Sequence, residues 1–428
     1  MIKRPVFGLG SPNLRYPTVK GYEKEAVKEI PLPDKVVLFL ECPHISIDDL
    51  SLKKGDEVRT GERIGLAEES EEYLVSTVTG TIEGVSEYTG YLGRKYAAIS
   101  IQTAPEDKWD DEFRTVCKVD AGEDVTEFLP WLPGDPDFAS LFDSETPLDC
   151  IVINGIDKDI LVTGNQSIVK TEGEGLKKGI EYLKQISKAE RIIIIIPPDL
   201  ASQALKTGAE VKEINPVYPD ALPGMIMKKI LGKIVPAGMS CQDMGVRFIN
   251  AEAVKALAGA FDKGQMPVMK MLTVINKDSS SVNVKARIGT PVRVVLEALN
   301  IQTDHGDRIV LGGPMTGIAI YSDDMPVMAD TDAIMVQDSE QIVPSADIPC
   351  TNCGECVRAC PADIPVNMLV RLLENGLYEE AASEYDLHSC IECGLCAYVC
   401  TARIPIFHYI MLGKYEFDRI KSMEGSNV

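Results

Sequence analysis

The spacing of apolar residues changes several times along the chain, and each change marks a new element pattern. Residues 1–30 are polar, punctuated by Pro and Gly, and read as an extended arm. From Lys35 the pattern turns to short strands, beginning with the apolar run 36–40, with Gly55, Gly61 and Gly65 at intervals that suit tight turns; a small β domain over 31–104 is expected. Residues 105–148 are acidic and proline-rich and read as a linker or irregular segment. Over 149–262, apolar strands at 150–154 and 191–196 alternate with helical spacing at 176–187 and 251–261, which implies a parallel or mixed sheet covered on both faces. Residues 263–345 shorten the period again: 268–275, 281–286 and 308–311 as strands and 292–299 as a helix make a small α+β module. The remainder, 346–428, is helical in pattern, with Leu369, Leu372, Leu373 and Leu377 at helical spacing within 366–385.

Length and composition add bounds to this picture. The chain has 428 residues, enough for roughly three domains at about 150 residues each. Its 43 Lys and Arg against 65 Asp and Glu leave a net charge of −22, which argues against nucleic acid or anionic lipid as a partner. No stretch approaches the roughly 20 consecutive apolar residues needed to span a bilayer, and the start, with an early proline and no apolar core, does not read as a signal peptide. A cytoplasmic chain is expected, in which reduced thiols favour metal over disulfides.

The cysteines carry the chemistry. Of 12, eight fall in two runs: Cys350, Cys353, Cys356 and Cys360, then Cys390, Cys393, Cys396 and Cys400. Both runs are C-x2-C-x2-C-x3-C, the spacing of two-cluster [4Fe–4S] ferredoxins. Three thiolates two residues apart wrap one corner of a cubane, and the fourth points to the other cluster. One cluster is therefore expected on Cys350, Cys353, Cys356 and Cys400, the other on Cys390, Cys393, Cys396 and Cys360. Gly354 and Gly394 stand where the backbone must approach the inorganic core. Ile391, Leu395, Val399 and Ile404 are candidates for an apolar shell. Structural zinc prefers paired C-x2-C knuckles and fits the runs less well. The first run continues with Pro361 and the second with Thr401, a change expected to alter the turn and not the ligands.

Other conspicuous residues read as structural. Cys42, Cys117, Cys150 and Cys241 are scattered and fit small buried hydrophobes. His44, His305, His388 and His408 share no ligand spacing, and His388 reads as a surface residue. Met269-Lys270-Met271 copies a biotin-attachment triplet but falls in a strand pattern, Gly173-x-Gly175 misses the dinucleotide spacing, and Lys228, Lys229 and Lys233 read as a solvated helix face. The run 52–65 resembles the barrel-sandwich fold of lipoyl and biotinyl domains, yet the tip that would carry the modified lysine reads Glu68-Glu69-Ser70-Glu71-Glu72, so a structural module is expected.

Taken in order, these features resemble the C subunit of the Rnf electron-transport complex. The resemblance rests on Ile30-Pro31-Leu32-Pro33, Lys53-Lys54-Gly55-Asp56, Ile151-Val152-Ile153-Asn154-Gly155, Ile288-Gly289-Thr290-Pro291, Leu311-Gly312-Gly313-Pro314-Met315-Thr316-Gly317, the cysteine runs and the tail Ile404-Pro405-Ile406-Phe407-His408. It implies a multidomain α/β and α+β chain. In order these are an arm (1–30), a barrel-sandwich domain (31–104), the irregular segment (105–148) and an α/β domain similar to the complex I flavoprotein (149–262). A soluble-ligand-binding β-grasp-like domain (263–345) and a helical two-cluster ferredoxin domain (346–428) follow.

That family's middle domain carries a glycine-rich loop and a Glu-x-Glu-Pro stretch that serve FMN and NADH. Here the corresponding positions read Phe128-Leu129-Pro130-Trp131-Leu132-Pro133-Gly134-Asp135-Pro136-Asp137-Phe138 and Ile156-Asp157-Lys158-Asp159-Ile160. Prolines remove N–H donors and carboxylates repel phosphate, so FMN and NADH binding are expected to be lost. The expected role is an iron–sulfur electron-transfer subunit with two [4Fe–4S] clusters. No catalytic or nucleotide-binding residue is identified. Expected partners are the other subunits of a membrane complex and ferredoxin or another redox protein, with the chain peripheral on the inner face of the membrane. The alternatives are an FMN-containing NADH:ferredoxin oxidoreductase subunit with a divergent flavin loop, or a soluble cobalamin-reductase-like flavoprotein.

Overall fold

The structure is a computed structural model that describes residues 12–19, 27–41, 51–65, 73–117, 128–134, 141, 148–187, 189–345 and 348–425. Two small antiparallel sheets form the first domain. One runs in the order Lys35–Glu41, Lys95–Thr103, Gly80–Thr89, Glu57–Val58, and the other pairs Arg63–Gly65 with Tyr73–Val75. Alternate residues of these strands, among them Val36, Leu38, Ile82, Ile99 and Ile101, close over one apolar core. The acidic tip at Glu68–Glu72, and with it Cys42 and His44, lies outside the described residues.

The α/β domain has four parallel strands in the order Glu210–Glu213, Arg191–Ile196, Cys150–Asn154, Val246–Asn250. A strand buried on both faces is apolar throughout, which explains the isoleucine run: Ile192, Ile194 and Ile196 enter one core, Ile193 and Ile195 the other. Helices Gly164–Thr171, Gly173–Ser187 and Ala251–Lys263 belong to the first core. The glycines after Gly173 serve helix packing: a Cβ at Gly179 would collide with the Val254 carbonyl. The segment 105–148 has little regular structure where described, a helix Glu112–Val116 and a 3-10 turn Leu129–Trp131. It is nonetheless no free linker, because Phe113, Phe128, Leu129 and Leu132 are fully buried in that core.

The next sheet has six strands, in the order Lys28–Glu29, Ser281–Arg287, Met269–Ile275, Ala333–Gln337, Arg308–Leu311, Ile318–Ile320, packed with helix Val292–Ala298. The arm thus ends as an edge strand parallel to Ser281–Arg287. Lys270 lies within a strand as expected, but it is wholly buried and paired with Glu252 and Asp332.

The last domain contains helices Glu355–Arg358, Val366–Glu374, Tyr378–Glu384, Leu395–Val399 and Ile406–Gly425. The helical spacing over 366–385 is split in two. Gly376 takes φ +72°, its N–H bonds Leu373 O and that of Leu377 bonds Leu372 O, a Schellman stop that leaves Leu377 exposed. Among the described residues no helix is long and apolar enough to cross a membrane.

Candidate metal centre

The two cysteine runs repeat at an offset of 40 residues, and the backbone repeats with them. Asn352 and Glu392 (φ 55° and 57°), Gly354 and Gly394 (φ 76° and 70°) and Asp363 and Arg403 (both 57°) are left-handed in pairs. Glycine relieves the turn before each short helix, where a side chain would be strained. At Gly394 a Cβ would also collide with the Met315 carbonyl. The turns bring the third cysteines, Cys356 and Cys396, into the first turns of helices Glu355–Arg358 and Leu395–Val399.

The thiols fall into two groups. Cys350, Cys353, Cys356 and Cys400 line one small cavity, closed by Thr401, Ile404 and Ile406. Cys360, Cys390, Cys393 and Cys396 lie close enough to act electrostatically on one another. The fourth cysteine of each run therefore sits with the other run's first three. Among the described residues, no three His, Cys, Asp or Glu side chains converge on a point that would hold a single ion. Thr401, where the first run has proline, brings its hydroxyl 3.6 Å from Cys353 Sγ.

Burial raises the thiols: Cys356 is pushed up to about 11 and Cys393 to about 12, with Cys390 and Cys396 also raised by desolvation. Cys353 is exposed and lowered, chiefly by the Glu355 N–H. The raised thiols, Cys356, Cys390, Cys393 and Cys396, stay protonated until a cation displaces the proton. The expected apolar shell divides: Ile391 and Leu395 pack into the α/β core, Ile404 into the helical domain's own core. His388 is not a surface residue; it is half-buried against Phe417 with Nε2 unpartnered. Cys150 is buried, Cys117 and Cys241 half-buried, and all three thiols are raised by burial.

Sequence reasoning missed two residues around this centre, Tyr218 and Asp159. The Tyr218 hydroxyl donates to Cys393 O at 2.6 Å, and burial holds that phenol protonated. The Asp159 carboxylate accepts from Met315 N (3.1 Å), Thr316 N (2.8 Å) and Thr316 Oγ1 (2.8 Å), so the loop Leu311–Gly317 is tied to the α/β domain beside Gly394. The available signal was a pair of aspartates, Asp157 and Asp159, standing where a Glu-x-Glu pair was sought.

Asp157 has a separate task. The sheet's strand order reverses direction between Cys150–Asn154 and Val246–Asn250, and the crevice at such carboxyl ends is where open α/β sheets bind ligands. Here the chain fills it. Asp157, pushed up to about 6 by burial, accepts from Asn165 N at 2.8 Å and Gln166 N at 3.5 Å, at the start of helix Gly164–Thr171. Asn250 caps helix Ala251–Lys263 through Ala253 N (2.8 Å) and donates to Gly134 O. A Cβ on Gly134 would lie 2.5 Å from Asn250 Oδ1. The arm crosses nearby, Tyr16 N bonding Pro216 O and the Tyr16 ring lying tilted at 53° against Tyr218, centroids 5.5 Å apart. A phosphate at either helix start would meet side chains already bonded there.

Residues 14–106 match the RnfC barrel sandwich hybrid domain, and residues 349–404 a 4Fe-4S dicluster domain. The C subunit of a proton-translocating ferredoxin:NAD(+) oxidoreductase complex from Clostridium ljungdahlii is 26% identical over 83% of this chain and 82% of its own length. Its counterpart in the Na(+)-translocating complex of Acetobacterium woodii is 24% identical over 83% of this chain and 87% of its own. The C subunit of an ion-translocating oxidoreductase complex from Pectobacterium carotovorum is 25% identical over 84%, though the match spans only 51% of that longer protein. An NAD+-reducing [NiFe]-hydrogenase chain covers 71% of this chain, with a TM-score of 0.45 and 13% identity, a likeness too slight to carry an argument. Over most of its length the chain is thus similar to the C subunits of Rnf-type ion-translocating oxidoreductase complexes, with a match to the RnfC barrel sandwich hybrid domain over 14–106 and to a 4Fe-4S dicluster domain over 349–404.

Proposed function

We propose that this chain is an electron-transfer iron–sulfur subunit of an Rnf-type complex. Cys350, Cys353, Cys356 and Cys400 would hold one [4Fe–4S] cluster, and Cys360, Cys390, Cys393 and Cys396 the other. The observation that carries the reading is the exchange of fourth cysteines between the runs, seen in the cavity that Cys400 shares with Cys350, Cys353 and Cys356. Bound clusters would supply one-electron chemistry. The chain's own residues hold the thiols in fixed loops, exclude water from one group through Ile391 and Leu395, and keep the other group near the surface at Cys353.

The same reading leaves the chain without an FMN or NADH site of its own. Its support is the filled crevice: Asp157 at one helix start, Asn250 and Gly134 at the other. The remaining subunits of the complex are the proposed partners, with ferredoxin or another redox protein exchanging electrons, and the chain bound peripherally at the inner membrane face through those subunits. The test is metal and flavin analysis of the anaerobically purified chain. About eight irons and no flavin are expected, four per cubane. A stoichiometric flavin, or bleaching of the clusters by NADH alone, would overturn the flavin-free assignment, and absence of iron would overturn the whole.

A further inference from the structure

The 40-residue repeat allows the surroundings of the two cysteine groups to be compared position by position. In both runs the carbonyl of the second cysteine accepts a hydrogen bond from a side chain, but the donors differ in origin. Cys353 O accepts from the Arg358 guanidinium at 2.9 Å, within its own exposed loop. Cys393 O accepts from the buried Tyr218 hydroxyl, 175 residues away in the α/β domain. The second loop is clamped there on further sides. Gly224 closes on Ile391, so that a Cβ would come 2.7 Å from its side chain, and Gly394 lies against the Met315 carbonyl. Met315 in turn hangs from Asp159. Each loop also has an acid–base pair, Glu355 with Arg358 and Glu392 with Lys414, but Lys414 donates to Cys390 O at 2.8 Å, so on the second cysteine's carbonyl the neutral tyrosine stands where the first loop has Arg358.

We propose that Tyr218 is a positioning residue for the Cys360, Cys390, Cys393 and Cys396 group alone: its hydroxyl holds the Cys393–Gly394 peptide and tunes the cluster bound there, leaving the other cluster untouched. This rests on the iron–sulfur reading above. A donor on the Cys393 carbonyl polarises that amide and strengthens its N–H as a donor in turn. Hydrogen bonds toward cluster sulfur and exclusion of solvent are two determinants of cluster potential. Reduction adds negative charge, which such donors stabilise, so loss of the hydroxyl makes reduction harder.

The test is a redox titration of the anaerobically purified full chain, followed by electron paramagnetic resonance. Tyr218→Phe removes one oxygen and preserves the ring's packing. The expected result is a shift of one signal to more negative potential, with the second unmoved, while Arg358→Gln moves the second and leaves the first. Thr316→Val, on the far side of the clamp, must move the same signal as Tyr218→Phe, which keeps the proposal testable if the tyrosine variant does not fold. Loss of about four of eight irons in Tyr218→Phe, with the Arg358-sensitive signal retained, would equally support positioning. Tyr218→Phe moving neither signal, both signals, or the Arg358-sensitive one would overturn the proposal. Absence of iron–sulfur signals from the unaltered chain would instead overturn the reading on which it rests.

Discussion

Replacing Asp159 with alanine removes the acceptor that joins the loop Leu311–Gly317 to the α/β domain. Three donors of that loop lose their partner: Met315 N at 3.1 Å, Thr316 N at 2.8 Å and Thr316 Oγ1 at 2.8 Å. A hydrogen bond to a charged group contributes about 1.5–3 kcal/mol when buried. Two features reduce that figure here. Met315 and Thr316 are half-buried, so water can replace part of what is lost, and burial raises the Asp159 carboxyl above its ordinary range, which weakens the charge. Roughly 1 kcal/mol per bond then gives about 3 kcal/mol for the clamp, or about a hundredfold in a local opening equilibrium. Hydrogen–deuterium exchange with peptide mass spectrometry reads that equilibrium directly. Exchange of the 311–317 segment is expected to accelerate about a hundredfold in Asp159→Ala, while strand Ala333–Gln337 of the same sheet keeps its protection. Unchanged exchange at 311–317 would refute the clamp, and equal acceleration in both segments would mean the sheet itself had loosened.

The proposed exchange of ligands between runs predicts paired losses: Cys400→Ser should remove the signal also removed by Cys353→Ser, and Cys360→Ser the one removed by Cys393→Ser, each leaving about four of eight irons by metal analysis. Gly179→Ala should cost about 1–3 kcal/mol by overpacking against Val254, whereas Gly175→Ala, whose nearest neighbour is the flexible Lys255 side chain at 3.4 Å, should be near neutral in urea unfolding. Asp157, raised to about 6 in the folded chain against about 3.9 unfolded, favours the fold fully below pH 4 and loses that contribution as pH rises through 6. Asp157→Asn should therefore flatten the decline in stability between pH 4 and 6, by about 3 kcal/mol at most, measured by urea unfolding across that range; an unchanged pH profile would refute it.

What could be read in advance was what neighbouring residues decide together. Cysteine spacing is a local matter, since a loop of seven residues sets where three thiols point, and both runs were legible for that reason. The isoleucine strand at Arg191–Ile196 and the helix before Gly264 were legible in the same way, from periodicity over a few turns. Periodicity also misled once. The spacing of Leu369, Leu372 and Leu373 runs on to Leu377, but a glycine able to take a left-handed turn ended the helix first.

The missed features are contacts between residues far apart in sequence. Asp159 and Thr316 are separated by 157 positions, Tyr218 and Cys393 by 175, and nothing in either neighbourhood announces the other. Lys270 is hidden in a strand because Glu252, on a helix 18 residues earlier, comes to meet it. By itself the sequence determined where the cysteines repeat and where strand and helix patterns alternate. Only the packing of the domains decided that Cys393 lies against the α/β core while its counterpart Cys353 is exposed. Burial is a property of which surfaces meet, and that depends on the whole chain at once.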